Sequence, residues 1–207
     1  MRKSKADSRE ESASKRRTRK AILQAAMNLL ARGMTPSIMD IAQAADVSRR
    51  TIYGYFSTLE QVLADAALGL ATEGAMAQVL DPSKFPGDAA TRVEALARLV
   101  QRMSADTEHL GRTILRLTIE PKEDGLAPQR GYRRIEWIET AIESLRGKLD
   151  KPAFERLVSA LAMVIGWEAM LVQKDIRRLK PADAEEASAW AARALVNAAV
   201  EEQRRKR

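Results

Sequence analysis

Apolar residues recur at intervals of three and four along nearly the whole chain, and the two-residue alternation of a half-buried strand is nearly absent. A chain patterned in this way has to bury its apolar surface as helix against helix. Three Trp, three Tyr and three Phe among 207 residues leave the core to Leu, Ile, Val, Ala and eight Met, a mixture that favours helices over sheets. With 45% hydrophobic and 30% charged residues there is enough apolar material for a sizeable core, so disorder throughout is excluded. The expected fold class is all-α.

There is no cysteine, which removes disulfides, thiolate catalysis and the common structural zinc sites together. The N-terminus is polar, without the apolar stretch of a secretory signal, and the most apolar run, Leu157 to Trp167, is too short to span a bilayer. The expectation is a soluble, cytoplasmic protein with no membrane partner.

The net charge of +7 is unevenly placed. Residues 1–20 hold nine Lys or Arg against three acids, whereas the remainder is close to balance. An irregular basic arm over residues 1–15 suits a polyanion, because neutralised phosphates release counterions. It suits a solubilising tail as well.

Ile22, Ala25, Ala26, Leu29 and Leu30 mark a first helix that stops at Gly33. Ser37 caps a second, two-turn helix with Ile38, Ile41, Ala42 and Ala45 on its apolar face and Asp40 in its first turn. After Asp46 and Val47, Ser48 caps a third short helix that buries Ile52 and Phe56. Two short helices across a tight turn read as a helix-turn-helix, whose second helix enters the major groove of duplex DNA. Arg49 and Arg50 suit bidentate bonds to guanine, and the Thr51 methyl suits that of thymine. Tyr53 and Tyr55 suit phosphate oxygens. Arg16, Arg17, Arg19, Ser37 and Ser48 complete the candidate DNA contacts.

Residues 19 to 63 resemble the DNA-binding domain of the TetR family of bacterial transcriptional regulators, above all in Ile22 to Leu29, Asp40 to Ala42, Val47 to Ser48 and Thr51 to Phe56. The resemblance implies an all-helical homodimer with a three-helix N-terminal DNA-binding domain, here residues 16–57. A larger C-terminal domain for ligand and dimer contacts follows, here residues 58–207. It also implies a repressor released from its operator by a small molecule, of unknown identity here. Asp46 stands where the family usually has glycine, at a position expected to need positive φ, which Asp tolerates better than most residues. Leu59 replaces a lysine that commonly touches phosphate.

Further on, Ser57 with Glu60 forms a candidate capping box for a helix running to about Leu80. Helices are expected from about Asp88 to Ser104, Asp106 to Ile119, Tyr132 to Leu149, Pro152 to Leu179 and Asp183 to Arg204, with a mobile loop over Pro121 to Gly131. The last two helices are apolar on more than one face and so need two partners, which points to a four-helix dimer interface with Trp190, Ala191, Ala194, Leu195 and Ala198.

A ligand pocket is expected between about residues 58 and 180, with Met103, His109, Thr113, Trp137, Met163 and Trp167 as candidate lining. His109 is the single histidine and lacks a carboxylate pair, so neither catalysis, nor a metal, nor a cofactor is expected. Arg133, Arg134 and the terminal Arg204 to Arg207 read as solvated charge. Two function classes follow: a dimeric ligand-responsive DNA-binding regulator, or a helical enzyme or non-DNA scaffold whose basic arm serves solubility.

Overall fold

A computed structural model describes residues 5–119 and 132–206, with side chains from residue 14 on, Tyr132 excepted. The loop expected over 121–131 lies outside the described residues, as do residues 1–4 and Arg207. Every described element is helical: α1 (Lys5–Ala31), α2 (Ile38–Ala44), α3 (Arg49–Tyr55), α4 (Leu59–Leu80), α5 (Ala89–Asp106), α6 (Glu108–Thr118), α7 (Tyr132–Ala141), α8 (Lys151–Val164), α9 (Trp167–Leu171) and α10 (Pro181–Arg205). The chain is therefore all-α, as its periodicity requires.

Where the elements start and stop follows from the local chemistry. The segment from Lys5 to Ser14 has no Gly or Pro and is rich in Ala, Glu, Lys and Arg, so the helix nucleated at the apolar stripe of Ile22 and Leu23 extends back through it. The expected irregular arm is thus helical from Lys5 onward. Asp88 caps α5 by accepting from the Thr91 N–H at 2.8 Å, and Asp150 caps α8 by accepting from Ala153 at 2.8 Å. Pro181 opens α10 at a position where no backbone donor is needed. The cap of α4 is Thr58 rather than Ser57: Thr58 Oγ1 accepts from the Gln61 N–H, and the Gln61 side chain accepts from the Ser57 N–H.

Two expected long helices are broken. The helix beginning at Tyr132 ends at Ala141 and passes through a 3-10 turn, Glu143–Leu145, toward Gly147 at φ 111°. The helix expected from Pro152 to Leu179 stops at Val164, because Gly166 adopts φ 127° and hands over to α9 and then to a π-helical turn, Val172–Ile176. Glycine is required at that break: a Cβ on Gly166 would fall 2.0 Å from Arg134 Nη1. Arg134 is accordingly not solvated charge. Its guanidinium donates to the Ile165 carbonyl at 3.1 Å and to the Glu168 carboxylate at 2.5 Å.

The chain forms two compact units, one of residues 1–71 with 112–130 and one of residues 72–111 with 131–207, so the division falls inside α4, between residues 71 and 72. The first unit buries Ile22, Leu23, Ala26, Ile41, Ile52, Phe56 and Val62. In the second, α5 packs along α10, with α7 and α8 completing a core of Val93, Leu96, Ile138, Ile142, Phe154, Leu161 and Val196. Acid–base pairs flank the α5–α10 seam: Arg193 with Glu94 at 3.1 Å and Arg102 with Glu185 at 2.9 Å. No single described helix is long and apolar enough to cross a membrane; α8 together with the segment Trp167–Ile176 passes that test only as a pair bent by 42°.

Candidate nucleic-acid interface

The first unit presents the two short helices through a set of tightly specified ends. Ser37 and Asp40 form a reciprocal capping box: the Asp40 N–H donates to Ser37 Oγ at 3.3 Å, and the Ser37 N–H donates to Asp40 Oδ2 at 2.8 Å. The Ser37 hydroxyl also donates to Asp40 at 2.7 Å. These bonds, the hydroxyl's first and the backbone's second, hold the Asp40 carboxyl below the usual carboxylate range.

α2 closes in a Schellman turn, in which the Val47 N–H donates to the Ala42 carbonyl at 3.0 Å and the Asp46 N–H to that of Gln43 at 3.3 Å. The geometry places Asp46 at φ 52°, the left-handed conformation expected of this position. Ser48 then starts α3 by accepting from the Thr51 N–H at 3.0 Å, and its hydroxyl lies 2.8 Å from that of Thr51. The Thr51 hydroxyl is thereby engaged with the cap.

With both ends fixed, α3 buries Ile52 and turns Arg49, Arg50 and Tyr53 to the outside, while Thr51 and Tyr55 are half-buried. An open groove of about 530 Å³ is lined by Ser37, Ile38 and Met39 of the α2 start and by Arg49, Arg50 and Tyr53 of α3. Four of the candidate DNA contacts therefore share one surface. Ile38 and Met39 were missed as lining. Met39 falls outside the apolar face of α2, and its 66% exposure on a two-turn helix is the signal that marks it.

Arg19 requires correction. It is 3% exposed, and it sits one turn before Ile22 and Leu23, which orients it inward with them. Its Nη2 meets Asp65 Oδ2 of α4 at 3.1 Å, its Nη1 donates to the Tyr55 carbonyl at 3.2 Å, and its guanidinium carbon lies 4.4 Å from the Phe56 ring centroid. Arg19 clamps α1 to the end of α3 and to α4 and offers nothing to a phosphate. Arg16 and Arg17 are exposed on α1. Glu60, expected in a cap, instead pairs with Arg116 of α6 at 3.1 Å, and Leu59 is half-buried.

The expected pocket residues are unequally buried. Met163 is 72% exposed, because the buried face of α8 is set by Ala153, Phe154, Leu157, Val158 and Leu161, and His109 is exposed on α6. Met103, Thr113, Trp137 and Trp167 are half-buried. Trp167 is a packing residue: a Cβ on Gly111 would lie 2.5 Å from its indole, so the ring rests on bare α6 backbone. A cleft of about 570 Å³ in the second unit includes none of the six, being lined by residues such as Asp88, Ala89, Leu149 and Val196.

On α10 the buried face is Ala184, Ser188, Ala189, Ala192, Val196 and Ala199. Trp190 is 70% exposed and Ala198 is exposed, with Ala191, Ala194 and Leu195 half-buried between them. Leu195 packs against the core of the second unit, so of the five expected residues only Trp190 and Ala198 are exposed.

Residues 22–66 match the model of a family described as bacterial regulatory proteins, tetR family. Over 83 residues the chain is 40% identical to the HTH-type transcriptional repressor LfrR of Mycolicibacterium smegmatis (strain ATCC 700084 / mc(2)155), a stretch that covers 40% of this chain and 44% of that protein. The chain thus matches less than half the length of that curated relative.

Proposed function

We propose, from the premise that residues 22–66 are the DNA-binding domain of a bacterial regulatory protein of the tetR family, that the chain is a dimeric transcriptional repressor whose hold on its operator is loosened by a small molecule. The observation that carries the reading is the shared surface of Ser37, Arg49, Arg50 and Tyr53, framed by two capped helix starts. Helix N-termini favour phosphate, and the arginines beside them present paired donors to guanine edges. Arg16 and Arg17 add sequence-independent attraction to the backbone. Residues 16–57 are assigned to DNA binding and 58–207 to effector and dimer contacts, in the cytoplasm. Trp190, Ala194 and Ala198 follow one another at four-residue spacing and form the seam at which two copies meet around a two-fold axis, matching two half-sites of a palindromic operator.

The test is a mobility shift with fragments of the source genome at fixed, stated salt. A small set of fragments should be retained at protein concentrations that leave random duplex unbound. Equal retention of all fragments would remove the sequence-reading role and leave only a basic surface.

A further inference from the structure

α5 carries three arginines in unlike surroundings. Arg98 Nη2 lies 2.7 Å from Glu186 and 3.1 Å from Glu94, and Arg102 Nη1 lies 2.9 Å from Glu185. Both arginines touch solvent. Arg92 is only 6% exposed, and among the described residues it has neither an ion pair nor a hydrogen bond; its Nε is sealed from solvent without an acceptor, and only its two Nη atoms reach the outside. The most buried cation of the helix is the one that lacks an anion.

A guanidinium does not escape by losing its proton. Its desolvation is offset only by an anionic partner and by acceptors for its N–H groups, and an apolar side chain of similar size would pack the same space without that cost. Arg92 lies on the face of α5 that continues, at spacings of four, three and four, through Leu96, Leu99 and Met103. Leu96 belongs to the apolar core of the second unit, and Leu99 and Met103 are half-buried against it. A fixed cation at one end of an apolar stripe is the complement of an amphipathic acid.

We propose that Arg92 is the acid-binding end of the effector site, and that the effector is an organic carboxylate with an apolar body lying along Leu99 and Met103. The carboxylate takes two parallel N–H···O bonds from the guanidinium. This rests on the effector-responsive reading above and narrows it to a chemical class.

The test uses the full chain without DNA. Straight-chain alkanoates of about six to twelve carbons, a range matched to the length of the stripe, are titrated by calorimetry beside the alcohols of equal length. The expected result is at least about tenfold tighter binding of an alkanoate than of its alcohol. Arg92→Met, which keeps the aliphatic stem, should abolish that preference and raise the melting temperature of the ligand-free protein; Arg92→Lys should retain part of the preference. No acid preference in the wild type, or the same preference in Arg92→Met, overturns the proposal, and the wild-type comparison decides even if Arg92→Met folds poorly. An alkanoate that binds through Arg92 but leaves operator affinity unchanged supports the site and counts against the effector-release reading alone.

Discussion

At the scale of single residues, the two kinds of arginine in the first unit predict opposite phenotypes. Arg50→Ala should weaken binding to the true operator by about 1–3 kcal/mol and relax its sequence preference, because a base contact discriminates. Tyr53→Phe should weaken operator and random duplex alike. Equal losses on both DNAs for Arg50→Ala would place that side chain outside the groove. Arg19→Met should instead cost about 1.5–3 kcal/mol of folding stability, since it removes the ion pair with Asp65 and the bond to the Tyr55 carbonyl. It should leave the slope of log affinity against log salt unchanged, whereas Arg17→Ala should reduce the slope by about 0.9. Thermal melting and a salt series on the same variants separate the roles. Arg19 was misread because charge alone placed it with Arg16 and Arg17; its position one turn before Ile22 and Leu23, and the acid Asp65 within the apolar run of α4, carried the opposite message. Arg92 is illegible for the same reason in reverse, since one Arg in a helical pattern looks like solvated surface until its burial is known.

At the scale of elements, legibility followed the range of the forces that set each boundary. Ser37, Ser48 and Asp88 bond to donors three residues away, so the starts of α2, α3 and α5 could be read directly. The break at Gly166 could not, because it is imposed by Arg134, which lies more than thirty positions earlier and fills the space a Cβ would need. The turn after α2 yields a prediction of its own. Asp46→Gly should hold or raise stability, and Asp46→Val should lower it by about 1–2 kcal/mol, the cost of a β-branched residue at positive φ. Chemical denaturation of the three proteins checks the order. The caps also carry a pH dependence. Asp88 is held below the usual carboxylate range, chiefly by the Thr91 backbone N–H and then by the Thr91 side chain. Its folded pKa is depressed, so its contribution is complete above the ordinary value of about 3.9 and is lost as pH falls through the folded one. Against Asp88→Asn, a neutral cap, the wild-type advantage in melting temperature should shrink as pH drops below about 4.

At the scale of the whole molecule, the proposed dimer rests on α10. Trp190→Asp places a charge on the exposed apolar face of that helix while leaving its α5-facing side intact. It should turn a dimer at micromolar concentration into a folded monomer with little operator affinity, because one reading head gains nothing from the second half-site. Light scattering and circular dichroism together check this, and a wild-type monomer would sink it. The exposed apolar residues of α10 were legible from the pattern of residues 187–200, whereas the lining of a pocket is not: apolar residues at helical spacing look the same whether they meet each other or a guest. The contact of Trp167 with Gly111 has one more consequence. An indole half-covered by bare backbone emits to the blue of one in water and is partly shielded from collisional quenchers, so lifting α6 from that ring shifts its ultraviolet emission to the red. With Trp137 and Trp190 replaced by Phe, the chain keeps a single tryptophan, and a shift of α6 can be followed in a cuvette by its emission, without any attached dye.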